Sequence, residues 1–446
     1  MSTERDLPIE ERILRVLYRL GLQKAHFGAR EFQEFDGLAR FHPEVVASLT
    51  LVFPPRTLKA DVLQPFGPRL LCFYGTRGPN AAIVKKSLEA LSDATQVCFE
   101  NYLDVNWSDV AADHAAEIAD TMLQFLGRMA RIVELPPANL SPREGEIAGI
   151  TYSVTGSGPP LILLPLVLAP SQWEPVLSRL SQNYCTIVLG GAELGGVRQL
   201  EARGRTESYR RALKTFVAEI EIKPQENILE VGCGSGVLTR LLVDCTQRIN
   251  PIIAVDINRY FLREATALAK MQGCSDAIEF REGSAEALPF ADNRFDITIS
   301  ATVMEEVNAD QMLAELIRVT KPGGRVGVMI RAEDMMSFVN IPLRSVLKMK
   351  VETPRGNVSE GGCADATLYH RFREAGLISL KMFPQLVPFR PTEPHGKRVE
   401  AGILAALSEA EADEWRAAAR TPGASELLFI AKPFHCAVGT KPRPTC

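Results

Sequence analysis

In residues 9–22, Ile13, Leu14, Leu17 and Leu20 recur at helical spacing and Gly21 follows as a stop, so the chain is expected to open on an amphipathic helix. Short apolar runs at 24–28, 48–53 and 70–74 predict strands, the second ended by Pro54 and Pro55. Helices are expected at 37–41, 43–47 and 112–129. Strands alternating with helices imply a parallel sheet. The proline-bearing stretch 134–143 reads as a linker, after which 147–154, 161–168 and 185–189 predict strands and 172–180 a short helix. A polar-faced helix over 206–221 leads into the second half. There, strands are expected at 227–231, 252–255 and 325–330, helices at 237–244 and 364–375, and a closing antiparallel strand in two pieces, 427–434 and 436–439.

Composition bounds what such a chain does. With 446 residues, 46% hydrophobic and 23% charged, two or three domains with real cores are expected. A net charge of −4 supplies no basic field, so nucleic acid is not an expected partner. The longest apolar run, 159–170, carries four prolines and is too short to span a bilayer, and the N-terminus lacks a leader-like apolar stretch. The expectation is therefore a cytoplasmic protein without a membrane partner. Nine cysteines without a Cys-x-x-Cys pair and six histidines without His-x-x-His spacing point to neither a disulfide framework nor a metal centre. Catalysis would then fall to an organic cofactor or to side chains.

The second half supplies the cofactor signal. The strand at 227–231 runs into Glu230-Val231-Gly232-Cys233-Gly234-Ser235-Gly236, and a helix follows. Glycines let the backbone turn tightly and approach a ligand, and the helix start offers free N–H groups. Asp256, at the tip of the next strand and about 20 residues beyond Gly236, is placed to accept both hydroxyls of a ribose. Four further stretches follow in order: Gly283-Ser284-Ala285-Glu286-Ala287-Leu288-Pro289-Phe290, Arg294-Phe295-Asp296-Ile297, Val303-Met304-Glu305-Glu306-Val307 and Arg318-Val319-Thr320-Lys321-Pro322-Gly323-Gly324. Together these resemble the class I S-adenosylmethionine-dependent methyltransferases, in particular the small-molecule group similar to the ubiquinone/menaquinone-biosynthesis enzymes.

The resemblance implies a Rossmann-like, seven-stranded sheet over 201–446, with S-adenosyl-L-methionine as cofactor and a small-molecule acceptor. It implies that Glu230, Gly232, Gly234 and Gly236 hold the methionine end, Asp256 the ribose, and Ile257 the adenine face. Ser284 and Ala285 would meet the adenine edge, and Ser300 and Thr302 the amino group and sulfonium. Where many relatives have Asp this chain has Ser284, and where many have His it has Glu306. An acceptor that must lose a proton needs a base, for which Glu305, Glu306, Tyr369, His370 and His435 are candidates. Oxygen or carbon is the acceptor atom the resemblance favours, with sulfur and nitrogen open. A cofactor-binding regulatory or scaffold protein without turnover is the alternative. The insertion 331–363 carries Met335, Met336, Phe338, Pro342 and Met349, which suit either an apolar lid or core packing.

The first half, 1–200, resembles an α/β-hydrolase that has lost its catalytic residues. Residues 17–52 are similar to the stretch around that family's nucleophile elbow, but Ala25-His26-Phe27-Gly28-Ala29 stands where Gly-x-Ser-x-Gly belongs. Gly75-Thr76-Arg77-Gly78 replaces the expected acid, and Asn106 and Trp107 stand near the place of the histidine. Residues 145–191 resemble the N-terminal strands of the same fold, yet come later in the chain. Either the domain is circularly permuted and closes on itself, or the fragments complete one another between subunits, which leaves a homodimer open. The implied role is a scaffold, an acceptor contact or a dimer contact.

Overall fold

The computed structural model describes residues 4, 7–30, 33–54, 58–78, 81–103, 109–166, 168–354, 358–404, 406–421 and 427–444. The chain divides into two compact units, Met1–Arg198 and Gln199–Cys446. No helix among the described residues is long and apolar enough to cross a membrane, and no group of three or more His, Cys, Asp or Glu side chains there could hold a metal.

The first unit is built on eight strands: β1 (Ala25–Ala29), β2 (Val46–Val52), β3 (Leu70–Arg77), β4 (Thr95–Leu103), β5 (Glu144–Ile147), β6 (Ile150–Thr155), β7 (Pro160–Leu163) and β8 (Cys185–Gly190). They lie in the order β4-β3-β2-β1-β7-β8-β6-β5. Early and late segments therefore meet inside one sheet of one chain, through the parallel ladder His26↔Leu161, Phe27↔Ile162, Gly28↔Leu163. β1 is buried along its whole length between β2 and β7. Residues 25–29 are thus a central strand and not the exposed turn that an elbow would be. β6 is antiparallel to both its neighbours, so the hairpin β5–β6 closes one edge. Asn106 and Trp107 lie outside the described residues.

Several elements differ from the sequence expectation for physical reasons. Residues 43–47 are not a helix: Pro43–Val45 make one 3₁₀ turn, and Val46 opens β2, all seven residues of which are buried. β7 ends at Leu163, because Pro165 has no N–H to continue the ladder. The run 147–154 divides into two strands at Ala148 and Gly149, both with positive φ (52° and 75°), the backbone a tight hairpin needs. The expected helix at 112–129 is interrupted at His114, leaving Val110–Asp113 and Ala115–Met129.

His26 of β1 is buried, with Nδ1 at 2.8 Å from the Ser48 hydroxyl, and burial pulls its pKa down to about 4. The unfolded chain takes up this proton near the ordinary value of about 6.5 and the folded chain only near 4, so the unfolded state binds more protons in between. Stability should therefore fall as pH drops through this window, by about 3 kcal/mol from this residue when the drop is complete. Urea unfolding at about pH 7 and about pH 4.5 reads it; the loss should shrink in His26→Gln.

The second unit carries β9 (Ile228–Val231), β10 (Ile252–Asp256), β11 (Ile278–Glu282), β12 (Phe295–Ala301), β13 (Thr320–Arg331), β14 (Phe338–Val339), β15 (Ile378–Met382), β16 (Gln385–Phe389) and β17 (Ile430–Thr440). β11, β10, β9, β12 and β13 run parallel, and β17 is antiparallel to β13. Nine strands fill seven positions: β17 pairs with β13 and then β14 on one edge, and with β15 and then β16 on the other. β17 is continuous where two pieces were expected. Pro433 is accommodated because it lies where the partner strand passes from β13 to β14, between Phe434 and Ala431. In the insertion, Met335, Met336, Phe338 and Met349 are exposed, while Ile341, Leu347 and Val351 cluster with Trp415.

Candidate functional site

The sheet's parallel strands end together at the carboxyl edge, where the glycine turn begins. Ile228, Leu229 and Val231 are buried by strand pairing on both sides, which fixes the start of the turn. Gly232, Gly234 and Gly236 then take φ of 75°, 53° and 81°. A Cβ on Gly232 would sit 2.2 Å from Val303 Cγ2, and one on Gly234 2.9 Å from Leu200 Cδ1. The turn is thus closely lined and only glycine fits at Gly232. The helix Val237–Cys245 follows from it.

Asp256 ends β10 beside this turn. Its Oδ2 accepts from the Gly234 N–H at 2.7 Å and its Oδ1 from the Asn258 N–H at 2.8 Å. Burial raises its pKa, and these two N–H donors work against that rise. Each carboxylate oxygen keeps a second lone pair for another donor. Ile257, next in the chain, is 71% exposed. Glu230 is buried, accepts from the Thr239 hydroxyl at 2.5 Å, and is pushed up to about 7 by burial. Ala285 is buried, and Ser284 Oγ accepts from the Glu286 N–H at 3.2 Å, shaping the loop after β11.

At the end of β12, Ser300 and Thr302 part company. The Ser300 hydroxyl donates to the Val231 carbonyl at 2.7 Å, a bond that satisfies both groups inside the sheet and takes this side chain out of the cleft. Thr302 has a left-handed backbone, φ 59°, which is strained for a β-branched residue. Its N–H donates to Met329 O at 2.7 Å, and its hydroxyl accepts from Arg203 at 3.2 Å.

The candidate bases are scattered. Glu305 is fully buried; its Oε1 accepts from the Arg331 N–H at 2.7 Å, and its Oε2 has no hydrogen-bond partner among the described residues. Burial raises its pKa against the pull of Arg331. Glu306 pairs with Arg331 at 2.8 Å at the surface. Tyr369, His435 and Asp334 form a chain, with Tyr369 Oη at 2.9 Å from His435 Nδ1 and Asp334 Oδ1 at 2.8 Å from its Nε2. Burial pushes the Tyr369 phenol up to about 12, so it keeps its proton. His370 lies on the exposed side of its helix, 3.4 Å from Arg373, away from the others, because Leu368 and Phe372 are the inward residues.

Two groups escaped the sequence reading. The helix Gly195–Arg205 packs over the glycine turn through Leu200, and its Glu201 forms a buried double contact with Arg240 Nη2, 2.8 Å to each carboxylate oxygen. Ser235 Oγ donates to Glu201 at 2.6 Å and Arg240 Nη1 donates to Ser235 O at 2.6 Å, so the turn is braced from both flanking helices. Arg203, on the same helix, lies over the ring of Tyr209 at 4.9 Å. The one signal in the sequence was an arginine inside the apolar helix Val237–Cys245.

The parallel strands with an antiparallel final strand, the glycine turn and the carboxylate at the tip of β10 give the second unit a Rossmann-like arrangement. Residues 229–328 match the family described as a methyltransferase domain. The demethylmenaquinone methyltransferase of Lactobacillus johnsonii is 30% identical over 137 residues, 30% of this chain and 56% of that protein. The ubiquinone/menaquinone biosynthesis C-methyltransferase of Francisella tularensis is 34% identical over 117 residues, 26% of this chain and 47% of that protein. The chain thus spans about half the length of the curated relatives it matches. Among solved structures, the YcgJ protein from Bacillus subtilis aligns with a TM-score of 0.36 and 15% identity, covering 52% of this chain and 99% of that one.

The residues present fit the cofactor. The Gly232 position has no room for a side chain, Asp256 has lone pairs to spare at the mouth of the turn, and Ile257 offers an uncovered apolar face.

Proposed function

We propose that the chain transfers a methyl group from S-adenosyl-L-methionine to a small molecule through its second unit. The observation that carries the reading is the glycine turn hydrogen-bonded at Gly234 to the Asp256 carboxylate. When bound, the cofactor supplies a methyl group on a positively charged sulfur. Gly232, Gly234 and Gly236 shape the turn that would receive its methionine end, with Arg203 and Glu230 beside it. Asp256 accepts the ribose hydroxyls, Ile257 packs on the adenine, and Ser284 and Ala285 meet its edge. Thr302 would face the charged centre, as the resemblance implies. The protein's contribution is then mainly to position the reacting groups and exclude water. Carbon is the acceptor atom in the printed name of one relative, a ubiquinone/menaquinone biosynthesis C-methyltransferase, and oxygen stays open for this chain.

The test is label transfer from methyl-labelled S-adenosylmethionine to a panel of quinols, phenols, thiols and amines. Label should appear in an organic product. Asp256→Ala loses charge-assisted bonds and should bind the cofactor about 10- to 100-fold more weakly, measured by calorimetry. Absence of transfer to any acceptor despite firm binding would favour the regulatory alternative.

We further propose that the first unit is a circularly permuted hydrolase-like domain without a nucleophile. Its support is the joining of the 144–190 strands to the early ones beside β1. Its role is then to bind or present and not to hydrolyse.

A further inference from the structure

An edge strand turns a row of N–H and C=O groups outward, and these pair with another chain unless charge, proline, a bulge or shortness prevents it. Nearly every edge of this chain is guarded in one of those ways. In the first unit β5 carries Glu144 and Glu146 among its four residues. In the second, β11 carries Glu279, Arg281 and Glu282, and β14 is two residues long. β15 is broken by a register shift at the left-handed Ser379, φ 52°, and β16 contains Pro388.

The exception is β4, the other edge of the first sheet. Over Thr95-Gln96-Val97-Cys98-Phe99 it has no charge, no proline and no register shift against β3; its irregularity comes later, at the left-handed Asn101, φ 60°. The side chains here are anchored above and below the sheet. Phe99 is buried against Phe53 and Phe73, Gln96 Nε2 donates to Leu88 O and Leu91 O at 3.1 and 3.3 Å, and Thr95 Oγ1 accepts from Arg128 at 3.2 Å. The strand is thus held in place, yet beyond its ladder to β3 no backbone group of residues 95–99 has a hydrogen-bond partner among the described residues.

Such an edge is complementary to itself. Antiparallel pairing about a twofold axis at Val97 sets Thr95 opposite Phe99 of the second copy, a β-branched residue against an aromatic one, and Gln96 opposite Cys98. No like charges meet, and Glu100 falls outside the five-residue ladder. A twofold pairing also closes, so both edges are consumed and no further copy is recruited.

We propose that two copies of the chain form a homodimer through β4, joining their first-unit sheets antiparallel over Thr95–Phe99.

Sedimentation equilibrium of the full chain should give twice the 49.0 kDa chain mass at tens of micromolar. Amide hydrogen exchange then locates the contact in the wild type. Outward amides within residues 95–99 should exchange slowly in concentrated protein and faster on dilution, while the amides bonded to β3 stay protected at both. Gln96→Lys combined with Cys98→Lys sets like charges opposite one another across the axis and should weaken the dimer about tenfold or more. Gln96→Lys combined with Cys98→Glu sets opposite charges there and should keep it. Urea unfolding checks that both variants are folded, and if the first is not, exchange on the wild type decides alone. A monomer at every concentration, a dimer whose 95–99 amides exchange alike when concentrated and dilute, or a folded double-lysine variant that dimerises as firmly as the wild type overturns the proposal.

Discussion

Gly232→Ala should weaken cofactor binding by roughly 100-fold or more while leaving the chain folded. Two costs meet at this position. The backbone is left-handed, φ 75°, which a residue with a Cβ adopts at about 1–2 kcal/mol. The added carbon would also lie 2.2 Å from Val303 Cγ2 and 2.9 Å from Cγ1, closer than any contact allows. Either the turn or Val303 must move, and both stand where the cofactor's methionine end is expected. Gly376→Ala is the matched control. It has the same hand of backbone, φ 79°, but nothing lies within 4 Å of the added carbon. It should cost about 1 kcal/mol of stability and leave binding unchanged. Calorimetric titration with S-adenosylhomocysteine and urea unfolding, run on both variants, separate the two effects.

Arg240→Met should destabilise the second unit by about 3–5 kcal/mol. Arg240 and Glu201 side chains are 8% and 7% exposed, and the pair is satisfied by two 2.8 Å contacts and by Ser235. Methionine keeps much of the packing volume but leaves the Glu201 carboxylate buried with only the Ser235 hydroxyl. The penalty is mostly that of the stranded charge, so Glu201→Gln combined with Arg240→Met should recover much of the loss. Urea denaturation of the three variants measures it. A loss below about 1 kcal/mol for the single variant would mean that the pair is not buried in solution.

Where chemistry and chain order coincide, the sequence was readable. A strand, three alternate glycines, a helix and then a strand ending in Asp256 lie within about 30 residues, and each step has a local physical cause. The same holds for the buried runs of β1, β2, β7 and β8. What escaped was set by tertiary context. β4 is an edge strand with mostly partly exposed residues, so it lacks an apolar run. The helix Gly195–Arg205 begins in glycines, a poor helix signal, and is held by Leu200 and Glu201 against the turn. Arg203 and Tyr209 meet Phe389, about 180 residues later in the chain, only through the packing of β16. Ser300 misled for the opposite reason, since its place at a strand end is common to cofactor contacts and to buried hydroxyls bonded across the sheet.

The second unit is expected to hold its cofactor at the glycine turn. Equilibrium titration of the full-length chain with S-adenosyl-L-methionine tests this most directly. The expected result is saturable binding of one molecule per chain, weakened in Asp256→Ala and lost in Gly232→Ala. No binding to the folded wild-type chain, or equal binding by all three proteins, would contradict it.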